Sequence, residues 1–388
     1  MQKDFHYYAT YCAAFLAGYS HKEAQELCYA AQFVDCCSRT LLTRVGGPKA
    51  AVTTQLQLEL ADVRVDPIGL QDVTRIWSSF HFLPCDLNAQ KKKKCGRRYL
   101  NKYRLICGPN GDLLVDTVKL ARGGGVQAAG IAMHVLADTW AHRYFAGTPS
   151  FVINNAGYFR DAETGERIRF NHNPKSGDDV GAGKFTNSVF QTSENNIMNL
   201  GHGRAGHLPD YSFMRYRFMP AWAEFEEVTK DNPAEYYQAF TQMIYAMKYL
   251  RGEYADFERD TYDTECAAPY QEEIMEILSK RQADADEDED WKAFGERLSR
   301  EQIEDFDESR YEEEYKAAEG ERRDDTYLGR FFLAAMNQKG MVTSKIFNSG
   351  NLLAGVSIDY DQKGFRGMRD FRKLVEAQKR KGADHERS

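Results

Sequence analysis

The 388 residues carry 51 lysines and arginines against 58 acidic residues, a net charge of −7. That mild acidity argues against a general coat for nucleic acid while leaving room for a local basic groove. No run of about 18 apolar residues occurs, so no transmembrane helix is expected, and the opening Met1-Gln2-Lys3-Asp4-Phe5-His6 lacks the charged-then-apolar layout of a signal peptide, which makes a cytoplasmic location the expectation.

Taken in chain order, residues 5–17 read as a helix closed by Gly18. Ser20 opens a second helix, with Glu23 completing a capping box and Ala24, Leu27, Ala31 and Val34 at helical spacing. The two form a helical hairpin. Leu56, Leu58 and Leu60 alternate with polar residues and are followed by Val63 and Val65, the pattern of a short strand or extended loop. Ile76 to Pro84 reads as an extended segment ending in a turn. Residues 90–98 are a basic patch, either a solvated loop or a contact for an anion. The clearest apolar helix covers 126–146, after Gly123-Gly124-Gly125, and the Gly- and Asn-rich 147–210 predict long irregular loops.

Asn232 and Pro233 open another helix as N-cap and first residue, with Phe240, Ile244, Met247 and Leu250 on its buried stripe. The acidic run 284–290 and the charged sequence to Asp325 suggest an exposed helix or a flexible insertion. Apolar residues return from Thr326, and the tail from Lys379 is polar. The expected fold class is all-α, a multi-helix bundle with long irregular loops. Its expected parts are a metal-binding helical domain over 1–260, an acidic helical insertion over 261–325, and a C-terminal helical segment over 326–388 that packs on the first. The eight cysteines are scattered, none in a Cys-x-x-Cys pair, and read as free thiols.

The chemistry concentrates in His134-x3-Asp138-x3-His142. Steps of four residues advance about 400° around a helix, so the three side chains share one face. Two imidazoles and a carboxylate in an apolar setting are costly without a partner, and a divalent metal supplies one. His6 lies on the apolar first helix and Asp35 at the far end of the next, so an antiparallel hairpin brings both toward a common site. His81, between Phe80 and Phe82, is a further ligand candidate. In Gly201-His202-Gly203-Arg204-Ala205-Gly206-His207-Leu208-Pro209-Asp210, His207 and Asp210 are a candidate ligand pair three residues apart. His202 is a candidate ligand or proton-transfer group there, and Arg204 a candidate for meeting an anionic substrate.

This order of ligands resembles the zinc-dependent phospholipase C and S1/P1 nuclease superfamily. More narrowly, Asp4-Phe5-His6-Tyr7-Tyr8-Ala9-Thr10-Tyr11, Ala31-Gln32-Phe33-Val34-Asp35 and the segment from Met133-His134 to Trp140-Ala141-His142 resemble a bacterial family known as the DUF6765 domain. The resemblance covers roughly residues 1–260. It implies an all-helical phospholipase C/P1 nuclease-like bundle, a cluster of two or three zinc ions (another divalent transition metal would suit the same ligands), and hydrolysis of a phosphodiester in a phospholipid, nucleotide or nucleic acid. It further implies one site from His134, Asp138, Asp35 and His81, with Asp138 bridging toward a second that includes His6. His142, His207 and Asp210 make the remaining site, and Asp35 is the candidate general base. The sequence departs from the superfamily in having no Trp at its start, where secreted members bind zinc through that residue's amino group, and in its ligand spacings. A structural or degenerate metal site in a binding module is the alternative.

Overall fold

The computed structural model describes residues 1–61, 67–172, 177–188, 192–224, 226–282 and 284–354; Val63, Val65 and the polar tail lie outside them. A π-helical turn, Asp4–Ala9, runs into α1 (Thr10–Leu16), followed by α2 (His21–Phe33), α3 (Arg39–Val45), α4 (Gln57–Ala61), α5 (Pro67–Phe80), α6 (Arg97–Tyr103), α7 (Asp112–Ala121), α8 (Gly125–Ala141) and α9 (Phe151–Asn154). After a stretch with strands come α10 (Asn232–Leu250), α11 (Thr264–Ala267), α12 (Gln271–Ser279), α13 (Asp284–Ser299), α14 (Glu312–Ala317), α15 (Arg322–Asp325) and α16 (Tyr327–Asn348). The strands are β1 (Ala156–Asp161), β2 (Phe170–Asn171), β3 (Phe185–Thr186), β4 (Arg215–Pro220) and β5 (Val228–Asp231).

The fold is mostly helical, but the all-α expectation is corrected by this small sheet, in which β4 pairs antiparallel with both β1 and β5. Its signal is the period of two in β4, where Tyr216 and Phe218 are buried and Arg215 and Arg217 turn outward.

Helix α8 is the axis of the molecule. Every residue from Ala129 to Ala141 is buried, as expected of a helix apolar on all sides. It packs against α2, α5, α7, α10 and α16. Gly130 lets α2 approach closely. A Cβ there would lie 2.4 Å from the Leu27 carbonyl oxygen and 2.6 Å from Ala30 Cβ on α2. The capping box at the start of α2 forms as its sequence predicts, with Ser20 and Glu23 bonding reciprocally.

Several local readings change. Residues 67–80 are helical, and only the short run from His81 to Pro84 lies outside the helix. The alternating leucines do not mark a strand: Gln57–Ala61 is helical and Leu58 is 83% exposed, so no buried face underlies the pattern. The N-cap of α10 is Asp231, whose carboxylate accepts from Ala234 N, and Asn232 is buried one position inside. The acidic segment is not simply exposed. Trp291 on α13 is fully buried, edge-on to Phe5 at 6.1 Å and tilted against Phe240 at 5.6 Å. Helix α16 closes the opposite side, Gln338 donating to Ser79 O in α5's last turn and to Thr117 Oγ1 on α7.

Candidate metal centre

Five histidines and three aspartates from distant parts of the chain converge on one face of α8. Their side-chain donors form three groups, each with all atoms within 4.8 Å: His6, His134 and Asp138; Asp35, His81 and His134; and His142, His202 and Asp210. Helix α8 provides His134 and Asp138 one turn apart, and His142 as its C-cap. His6 sits in the π-helical turn, a wide winding often found at functional sites. Asp35 follows the end of α2. His81 follows α5, its N–H bonded to Trp77 O. His202 and Asp210 come from the turns of 201–210.

Asp138 is the hub. Its Oδ1 lies 3.1 Å from His6 Nε2, and its Oδ2 lies 3.2 Å from His134 Nε2 and 3.3 Å from His81 Nδ1. In the third group His142 Nε2 is 3.0 Å from Asp210 Oδ1 and His202 Nε2 is 3.6 Å from Asp210 Oδ2. Asp35 is farther out, with Oδ1 3.8 Å from His81 Nδ1 and 3.9 Å from His134 Nε2. Its side chain is 34% exposed where that of Asp138 is 2%, so Asp35 marks the open corner of the cluster.

Four of the histidines are oriented by main-chain carbonyls. His134 Nδ1 faces Ala31 O at 2.9 Å, His81 Nε2 faces Thr53 O at 3.1 Å, His142 Nδ1 faces His81 O at 2.6 Å and His202 Nδ1 faces Gly206 O at 2.8 Å. A carbonyl only accepts, so each of these nitrogens carries the ring proton. In a neutral imidazole the other nitrogen then presents a lone pair, and all four such nitrogens turn toward the cluster. His134 Nε2 and His81 Nδ1 thus face one another at 3.3 Å, both beside a carboxylate oxygen. Acceptors held against acceptors in a buried setting are costly unless a proton or a metal ion sits between them. Nitrogen and oxygen donors in this mixture suit zinc and its first-row neighbours, and carbonyl-anchored imidazoles are the usual outer support of such a site.

Electrostatics point the same way. Burial lowers His6 to about 4, and the nearby His134 adds to this. Burial likewise lowers His202 to about 4, against the pull of Asp210. Both imidazoles are therefore neutral near pH 7. Burial opposes charge on Asp138, but His142, the Met1 ammonium, His134 and His6 outweigh it and hold the carboxyl well below its usual range. Asp210 is held down in the same sense, against burial, by His202 and the ammonium. The Met1 nitrogen lies 2.8 Å from Asp138 Oδ1, 3.2 Å from His142 Nε2 and 3.4 Å from Asp210 Oδ1. Burial lowers its pKa, yet the two carboxylates raise it to about 11.

The match to known families spans residues 1–346, and so takes in every residue of this cluster. The chain belongs to the DUF6765 family, a family of unknown function. Neither a curated protein nor a solved structure matches it. In this DUF6765 chain His6, Asp35, His81, His134, Asp138, His142 and Asp210 come together. His207 does not. Residues 201–210 form turns rather than the start of a helix, and Gly206, at φ +57°, reverses the chain between the two histidines. His202 is thereby directed to Asp210, while His207 Nδ1 lies 3.5 Å from Asp178 with its side chain 58% exposed. A count of residues between His and Asp could not separate the two. Arg204 bonds Ser188 O through Nη1 at 3.3 Å, and burial lowers its pKa. The Met1 nitrogen, 2.8 Å from Asp138 Oδ1, has no signal in the spacing of residues.

Proposed function

We propose that this protein is a metal-dependent hydrolase of phosphodiesters, using two or three zinc ions held by His6, Asp35, His81, His134, Asp138, His142, His202 and Asp210. The observation that carries the reading is the set of four histidines whose ring protons are committed to main-chain carbonyls, leaving their lone pairs crowded against carboxylates. The sequence resemblance to the phospholipase C and S1/P1 nuclease superfamily supports the same reaction class. When bound, zinc would lower the pKa of an attacking water and neutralise charge on the phosphoryl oxygens. The residues of the chain do the rest. His134 and Asp138 hold neighbouring positions at a fixed spacing because α8 is rigid and buried. Asp35, the most exposed carboxylate of the cluster, accepts the proton of the attacking water.

Metal content per chain, measured by mass spectrometry on protein purified without a metal-affinity tag, tests the first half. Two or three ions are expected, and none would overturn it. Turnover of bis(p-nitrophenyl) phosphate by the loaded protein tests the second half. The depth of His6, His134 and Asp138, all at most 1% exposed, favours one rival reading: a closed structural ion in a binding module. Loaded protein with no turnover and no affinity for inorganic phosphate would favour that rival.

A further inference from the structure

Asp210 reaches the cluster from turns, with no helix or strand of its own to fix it. The carbonyls around it are held from outside, by the first two turns of α10. Asp231 caps that helix, which leaves the side chain of Asn232 to bond elsewhere. Asn232 Nδ2 donates to Leu208 O at 2.8 Å and to Tyr211 O at 2.7 Å, with Pro209 O at 3.4 Å. One turn on, Tyr236 Oη shares its proton between Pro209 O at 3.0 Å and Asp210 O at 2.8 Å. The four successive carbonyls of 208–211 thus face two side chains on one face of α10. Both residues are fully buried. Carbonyls only accept, so the Asn232 NH2 faces the turn, and its Oδ1 is left with no partner among the described residues. The amide spends both donors on the turn at the cost of an orphaned acceptor. Helix α10 packs on α8, which carries the other ligands, and the Tyr236 ring lies edge-on to Phe5 at 5.0 Å, the residue before His6. The clamp therefore ties Asp210 to the same rigid frame as His142 and His6.

We infer that Asn232 and Tyr236 are positioning residues for the His142–His202–Asp210 group, holding the main chain of 208–211 so that Asp210 Oδ1 stays on His142 and Oδ2 turns toward His202. This rests on the metal-centre reading and adds to it the pair that fixes the one carboxylate ligand carried by a turn. Main-chain clamping suits the task. It orients the ligand without placing a further polar group beside the ion, and it leaves both carboxylate oxygens to the donor group.

The test loads full-length protein with cobalt(II), a spectroscopic stand-in for zinc, and follows each ion by visible absorption during competition with a chelator. The natural sequence is compared with Tyr236→Phe and Asn232→Ala, and His202→Ala marks the signal of the ion in this group. Tyr236→Phe removes only the hydroxyl and keeps the ring against Phe5, so it serves as the probe should Asn232→Ala fail to fold. In each folded variant one ion is expected to bind about 10–100-fold more weakly, with altered absorption. That ion is the one lost from His202→Ala, and the remaining ions keep their affinity and their bands. Natural protein that takes up neither cobalt nor zinc overturns the metal-centre reading and this inference with it. Loaded natural protein, with a Tyr236→Phe variant that holds every ion as tightly and with the same spectrum, overturns the positioning role alone. A Tyr236→Phe variant that weakens all ions alike also overturns it, since the loss is then one of general stability.

Discussion

His134 belongs to two of the three donor groups, whereas His202 belongs to one and His207 to none. The three residues should therefore respond differently to removal. His134→Ala is expected to lose the ions of both groups that share it, His202→Ala a single ion, and His207→Ala none, as read by metal content per chain. Equal metal loss from the His202 and His207 variants would contradict the assignment. A second residue makes a prediction about pH. Lys339 donates to Val52 O at 3.0 Å, and burial, with Arg75 and Arg39 nearby, lowers its pKa to about 7. In the unfolded chain a lysine stays near its ordinary 10.5. Between those two values the unfolded chain holds a proton that the folded chain has released, so stability rises with pH across that window, and the penalty is fully present below it. Lys339→Met is expected to raise the thermal midpoint at pH 6, with the gain shrinking toward pH 10. A gain that grows with pH would show that the ammonium is not penalised.

At the scale of elements, the junction of α2 and α8 is the most constrained. Gly130→Ala places a methyl group where the Leu27 carbonyl already sits. Overpacking of this kind costs ~1–3 kcal/mol, and parting the helices also draws His134 away from Ala31 O. The expected result is a lower urea midpoint together with weaker zinc affinity, and an unchanged midpoint would mean that the helices have slack there. Helix α13 makes the complementary prediction. Trp291→Ala is expected to cost ~3–5 kcal/mol, because the indole fills a fully buried position against Phe5 and Phe240. A loss below ~0.5 kcal/mol, usual for a surface residue, would return the acidic segment to the status of an appendage.

These elements also show what a sequence can disclose. The Ser20–Glu23 box and the apolar run into His134 rest on local spacing, which the structure keeps. The segment before His81 was obscured because Pro84 and the flanking phenylalanines describe only the end of α5. Trp291 and Phe294, three residues apart and both buried, are the signal that one face of this acidic helix packs inward. For the site, the α8 ligands are legible because a helix fixes their geometry. The choice between His202 and His207 depends on a glycine turn, which spacing alone does not disclose.

Across the whole molecule, a single hydrophobic cluster links residues from Met1 to Ala354, and a second lies under the sheet. The donor groups join the first turn, the ends of α2 and α5, α8 and the 201–210 turns, so the unfolded chain cannot reproduce them. Binding is then linked to folding. At free zinc about 100 times the dissociation constant, each ion adds ~2.7 kcal/mol. Stripping the protein with a chelator is expected to lower its thermal midpoint, and returning zinc to restore it. A midpoint indifferent to the chelator would separate the ions from the fold.

His81 plays two parts in this assembly: its ring enters one donor group while its carbonyl steers the ring of His142 in another. The peptide unit is in effect a shared hinge pin, and the two compartments cannot be tuned independently by moving the backbone there. Exchanging only the side chain, as in His81→Gln, should silence one compartment and spare its neighbour. Displacing the main chain, by a proline at position 82, should throw both out of register together.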